Sequence, residues 1–195
     1  MLKRILIIDG HPDSRVDHYV HALSKAYCDG ARASGNEVRS IIVSELEFPL
    51  LRSNEEFRES EVCASIRSSQ ESIAWAEHVV ILFPLWLGSM PALLKGFLEQ
   101  VLRPGFAFAE SARHGFPKKL LRGRSARIIV TMGMPGLFYR WYFRAHSLKS
   151  LQRNILRFCG FGPIRACVVG MVESMTTQQR GAWLLKVQEF GTRAL

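Results

Sequence analysis

The chain is short of acid: 17 Asp and Glu stand against 26 Lys and Arg in 195 residues, a net charge of +9. It also lacks a long apolar run. The most apolar stretch, Val79 to Leu87, is about half of the ~20 residues that a membrane-spanning helix needs. Four cysteines (Cys28, Cys63, Cys159 and Cys167) show no C-x-x-C spacing and no His at zinc-ligand spacing, so neither a disulfide mini-protein nor a metal site is expected. They are expected to be reduced thiols packed as small apolar side chains. Neither G-x-G-x-x-G nor a phosphate loop ending in Lys-Ser/Thr occurs, which removes the standard dinucleotide and nucleoside-triphosphate fingerprints. No Ser/Gly/Pro linker, internal repeat or low-complexity tract interrupts the sequence.

What is present is globular in composition: 48% hydrophobic and 22% charged residues. The length suits a single α/β domain over residues 1–195, burying roughly 70% of its unfolded surface. Lys3-Arg4 followed by Ile5–Ile8 imitates a signal peptide, but Asp9-Gly10-His11-Pro12-Asp13 follows with no small-residue cleavage site. The run is expected to be the first buried strand of a cytoplasmic domain. The basic residues are scattered, with one denser group at Lys118, Lys119, Arg122, Arg124 and Arg127, and no stacking-aromatic module accompanies them. A solvated basic face, suited also to attracting an anionic dinucleotide, is expected in preference to specific nucleic-acid binding.

Five Ile/Val-rich runs, Ile5–Ile8, Val38–Val43, Val79–Phe83, Ala126–Val130 and Ala166–Val169, have the length and flanks of strands buried on both faces. Helical patterns lie between them: Val16 to Tyr27, then Glu55 to Trp75, then Leu93 to Leu102 with Pro91 in the first turn, then Leu148 to Phe158. The last begins at a capping box, Thr176-Thr177-Gln178-Gln179. Alternating strands and helices predict an α/β fold: a doubly wound five-stranded parallel sheet with helices on both faces. Ligands of such sheets bind beyond the carboxyl ends of the strands, so the loops after strands one, three and four carry the functional reading.

The first of these loops places His11 and Ser14 near a helix start, where free backbone N–H groups and the helix dipole favour an anion; an ordinary capped turn is the alternative. The second, Pro84-Leu85-Trp86-Leu87, either lines a flat ring pocket or packs its Trp into the core. The third, Thr131-Met132-Gly133, permits close backbone approach to a ligand. Tyr139 and His146 follow it, as hydrogen-bond donors and proton carriers or as ordinary packing and surface side chains.

Taken together these loops resemble a family. Phe83-Pro84-Leu85-Trp86, Pro91-Ala92-Leu93-Leu94-Lys95-Gly96-Phe97 and Gly105-Phe106-Ala107-Phe108 are similar to the signature of the flavodoxin-like NAD(P)H:quinone oxidoreductases. Ile7-Ile8-Asp9-Gly10-His11-Pro12, Leu46-Glu47-Phe48-Pro49 and Arg157-Phe158-Cys159-Gly160-Phe161 match further landmarks in the same order. The resemblance implies a homodimeric flavoprotein with non-covalent FMN or FAD, NAD(P)H as co-substrate, and two-electron hydride transfer to quinones or similar flat acceptors. It places His11 and Ser14 at the phosphate, and Pro84, Leu85, Trp86 and Leu87 along the flavin ring. It places Thr131, Met132 and Gly133 at the ring's pyrimidine edge, with Tyr139 near the flavin O2 and His146 assisting charge at the reduced ring. It equally implies an alternative role, an ancillary regulatory subunit docked on a membrane potassium-efflux protein. Two positions depart from the family: Asp17-His18 where an Asn is usual, and a double glycine reduced to Gly133 between methionines. An aspartate at 17 opposes a phosphate unless it faces away or caps the helix. Trp141, Tyr142 and Phe143 are a candidate dimer strip.

Overall fold

In β1 (Arg4–Asp9) every residue after the first is buried. Leu6 and Ile8 join the hydrophobic core on one face of the sheet, Ile5 and Ile7 the core on the other. That two-sided burial is why the run is uninterrupted by polar residues. The computed structural model describes residues 2–109 and 117–194.

After β1 come α1 (Tyr19–Ala33), β2 (Glu37–Ile42), a 3-10 turn at Val43–Glu45, α2 (Asn54–Glu59), α3 (Ala64–Trp75), β3 (His78–Pro84) and α4 (Ala92–Val101). A short antiparallel pair, β4 (Phe108–Ala109) and β5 (Lys118–Lys119), precedes β6 (Ser125–Thr131) and α5 (Gly136–Trp141). Then α6 (His146–Ser150) runs through a π-helical turn at Leu151–Leu156 into α7 (Arg157–Cys159), before β7 (Ile164–Val169) and α8 (Thr177–Thr192). The large sheet has the order β2-β1-β3-β6-β7, and all of its pairings are parallel. This is the expected flavodoxin-like arrangement. Its direction of growth reverses beside β1, which puts the switch point between the ends of β1 and β3.

Two glycines set how closely the outer helices approach. A Cβ on Gly30 of α1 would lie 2.0 Å from the Gln188 carbonyl oxygen of α8, and one on Gly191 would lie 2.1 Å from that of Tyr27. The two helices therefore cross backbone to backbone. Thr176 caps α8 with the expected reciprocal box, its side chain accepting from the Gln179 N–H.

Several expectations need correction. The first helix begins at Tyr19, and Val16 is fully exposed, because Asp13 ties Arg15 and His18 into the preceding loop. The Glu55–Trp75 segment is two helices: Ser53 caps α2 by accepting from the Glu56 N–H, and the chain breaks at Ser60 before restarting at Cys63. Pro91 is the cap of α4 and stands outside its first turn. Arg127 is not part of a solvated face; it is buried, with its guanidinium 3.9 Å from the Phe190 ring centroid. Among the described residues, no helix is long and apolar enough to cross a membrane.

Candidate functional site

The carboxyl ends of β1, β3 and β6 are stitched together at their roots. The Gly10 N–H donates to the Leu82 carbonyl at 2.7 Å, and the Leu85 N–H to the Thr131 carbonyl at 2.8 Å. These bonds continue the sheet ladder by one residue and fix where each loop departs.

The first loop, residues 10–18, is organised by imidazoles and carboxylates. His11 is buried, and its Nδ1 lies 3.1 Å from the Asp13 backbone nitrogen and 3.0 Å from the Asp13 carbonyl oxygen. Its ring stacks on His18 at 3.9 Å between centroids and meets the Trp86 ring edge-on at 6.1 Å. Burial holds the His11 pKa below its ordinary value. Asp13 accepts from the Arg15 Nε at 2.7 Å and the His18 Nε2 at 2.9 Å, and the Arg15 backbone N–H adds a third bond that keeps its carboxyl well below the usual carboxylate range. Beneath the loop, His21 lies between Asp9 and the Asp13 carbonyl. Among the described residues the backbone N–H groups of Ser14, Val16 and Asp17 take no protein acceptor, and all three residues are exposed. That is a donor set suited to an anion at the start of α1. The Asp17 side chain makes no hydrogen bond to the loop or to the helix end and is exposed, so it does not serve as a cap.

The second loop carries the ring-facing candidates. Trp86 is 51% exposed, which rules out the core placement. Pro84 and Leu85 are half-buried. Trp86 and Ser89 close a tight turn with Leu87 at φ 46° and Gly88 at φ 78°, so both central residues are left-handed. Leu87 is completely exposed at its tip. Beside the turn lies a cleft of about 470 Å³, whose walls include Trp86, Met90, Pro91 and Ser147. Ser147 donates across it to the Ser89 hydroxyl at 3.4 Å.

In the third loop, Thr131 and Met132 are buried and act through their backbone, the Met132 carbonyl accepting from Val172 at 3.1 Å. Gly133 is exposed, and a Cβ there would meet the Glu173 carboxylate at 3.3 Å. Tyr139 is buried at 1% exposure; its hydroxyl oxygen accepts from the Leu148 N–H at 3.3 Å. Burial raises its pKa above the ordinary phenol value. His146 is exposed at the start of α6. The structure thus gathers His11, Ser14, Trp86 and Gly133 on the open carboxyl edge, whereas Thr131, Met132 and Tyr139 lie beneath it.

The flavodoxin-like fold family (Flavodoxin_2) matches residues 3–189, nearly the whole chain. The chain belongs to this family. Among flavodoxin-like relatives, an uncharacterized NAD(P)H oxidoreductase of Haemophilus influenzae is 25% identical over 183 residues, 92% of this chain and 89% of its own. A ribosyldihydronicotinamide dehydrogenase (quinone) of Rattus norvegicus is 30% identical over 162 residues, 78% of this chain and 68% of its own. Against the Pongo abelii protein of the same name the match covers 62% of that relative's length. The NAD(P)H:quinone oxidoreductase from Methanothermobacter marburgensis superposes with a TM-score of 0.84 at 18% identity, covering 100% of this chain and 98% of that one. An FMN-dependent NADH-azoreductase from Bacillus anthracis, solved with FMN, gives 0.74 at 17% identity, covering 99% of each chain. These two likenesses speak for the flavodoxin-like fold.

Two parts of the site escaped the sequence. His18 and His21 carried no motif, and only the tertiary meeting with Asp13 and Asp9 gives them a role. Cys63 caps α3, half-buried, and although burial raises its pKa, hydrogen bonds from Ser65 and the helix-end amides bring it below the ordinary thiol value. It departs from the expectation of four inert, packed thiols.

Proposed function

We propose that this protein is a flavin-dependent NAD(P)H oxidoreductase acting on quinones or similar flat acceptors. The carrying observation is the pairing, at one sheet edge, of the unpartnered amides of Ser14, Val16 and Asp17 with a half-exposed Trp86. The first suits a phosphate and the second a planar ring. The printed names of the relatives support the same reading.

A bound flavin, FMN or FAD, supplies the hydride chemistry. The chain's own residues hold and orient it. Ser14 and the neighbouring amides would seat the phosphate, with His11 beside them as a further donor. Pro84, Leu85, Trp86 and Leu87 would border the ring, and the exposed backbone of Gly133 would offer its amide to the pyrimidine edge. Thr131 and Met132 support that backbone from below. His146, exposed at the head of α6, would be the residue to carry a proton to this edge. Tyr139, held by the Leu148 amide, fixes the α5–α6 corner that presents it. Of the expected strip Trp141 and Tyr142 are exposed, with Leu137 beside them, and support a homodimer, whereas Phe143 is half-buried against the core.

The test is an absorbance spectrum with added FMN or FAD, then anaerobic NADPH, then a quinone. A bound flavin that bleaches with NADPH and reappears with the quinone supports the assignment. Failure of either flavin to bind at excess removes it while leaving the fold untouched.

A further inference from the structure

Among the described residues, His21 is the one ring whose two nitrogens both face acceptors. Its Nδ1 lies 2.7 Å from Asp9 Oδ2 and its Nε2 lies 2.9 Å from the Asp13 backbone carbonyl. A carbonyl only accepts, so Nε2 carries a proton. Asp9 Oδ1 already accepts from the His11 N–H at 3.2 Å, so a second proton lies on the short line between Oδ2 and Nδ1. The Asp9–His21 pair therefore holds two protons, and ordinary acidities put the shared one on the imidazole. Asp9 is buried, so its charge needs this partner.

We infer that His21 is a positively charged positioning residue, which clamps the 9–18 loop between Asp9 and Asp13 and keeps its amides set for the phosphate. The phosphate clause rests on the flavin reading; the protonation state does not. His21 stands in the first turn of α1, where the helix dipole opposes a cation, and the Asp9 carboxylate offsets that opposition. The same cation favours an anion on the loop above it. Loss of one proton would leave a lone pair facing either a carboxylate or a carbonyl, and the loop would have to open.

The other charged groups around His21 do not supplant Asp9. From the loop, His11 and His18 approach at ring distances of 5.2 and 5.9 Å, and burial holds the His11 pKa below its ordinary value. On α1, Lys25 is paired to Asp29 at 2.6 Å, and the Cys28 thiol is pushed up by burial and stays neutral. Arg32 from α1 and Glu45 from the 3-10 turn line the same groove and are of opposite sign. Burial pulls the His21 pKa down, but the bonds to Asp9 and Asp13 outweigh it, and the net shift is upward. The charge is accordingly present below the ordinary imidazole pKa and is lost as pH rises through the elevated one.

Two measurements test this. In 15N-histidine-labelled protein without flavin, both His21 ring nitrogens should resonate as protonated at pH 7; one unprotonated nitrogen there overturns the inference, whatever the protein does with flavins. Second, FMN dissociation constants are measured by fluorescence between pH 7 and 9, above the phosphate's own second ionisation. Wild-type affinity should fall about tenfold across the His21 transition. Asp9→Asn should move that transition to lower pH, and His21→Gln should bind more weakly at pH 7 with no transition at all. Identical pH profiles for wild type and His21→Gln overturn the clamp. Absence of FMN binding in all three overturns the flavin reading and the phosphate clause, while the nitrogen shifts still decide the charge.

Discussion

Trp86 and Ser89 exchange two backbone hydrogen bonds of 2.9 Å each across the tip of the loop after β3. The turn they close needs positive φ at both central positions, and Gly88 supplies one of them readily. Leu87 at φ 46° does not, since a branched apolar side chain in that region costs about 1–2 kcal/mol. Leu87→Asn should therefore raise the stability of the isolated chain by ~0.5–1 kcal/mol in urea unfolding. No burial is sacrificed, because Leu87 is wholly exposed. A fall in the urea midpoint would contradict this account of the turn.

Gly191→Ala should act in the opposite direction. The new methyl would lie 2.1 Å from the Tyr27 carbonyl oxygen, where no flexible side-chain end can yield, so α8 must shift on α1. We expect a loss of about 1–3 kcal/mol by denaturant titration. Because the crossing is remote from the loop ends, any flavin affinity should be retained in the folded fraction.

Cys63 should react first when the native protein meets iodoacetamide at pH 7.5, read by peptide mass spectrometry. Its thiol is partly accessible and lowered toward ionisation at the head of α3. Cys159 is buried and pushed up to about 12 by that burial, and Cys28 and Cys167 are raised as well. Labelling of Cys159 before Cys63 would overturn the ordering.

Acid should weaken the fold through His78. Burial lowers its pKa to about 3, and its Nε2 has no partner. The unfolded imidazole takes up a proton near pH 6.5 and the folded one does not. Stability is thus fully present above pH 6.5 and declines as pH falls toward 3, by up to about 1.4 kcal/mol per pH unit. His78→Gln should flatten that slope in denaturation midpoints taken between pH 7 and 4. An unchanged slope would assign the acid sensitivity to other groups.

Strands β1 and β3 were legible because burial on both faces leaves the runs from Ile5 and Val79 free of polar residues. The run from Ala126 falls inside β6 with Arg127 its one polar residue, whereas β2 is mostly unburied and ends at Ile42, short of the expected Val43. The capping box at Thr176 was legible because its chemistry is local. Helix starts were less so. Val16 keeps the helical period but is excluded from α1 by side-chain bonds of Asp13 to Arg15 and His18, which periodicity does not encode. Arg127 looked like one more surface charge, yet the alternation of β6 turns it inward onto Phe190. The candidate site divided the same way. Trp86 and Gly133 announced themselves by their neighbours in sequence, whereas His21 acquires meaning only when β1 brings Asp9 beside it.

The roots and the tips of the carboxyl-edge loops are built to different standards. Gly10 to Leu82 and Leu85 to Thr131 extend the sheet, while Leu87 and Trp86 stand outside any packing that could hold them against solvent. Order at the tips can thus melt at a temperature the sheet does not notice. A preparation with a flawless circular dichroism spectrum can have lost its working face, and folding and competence have to be assayed separately.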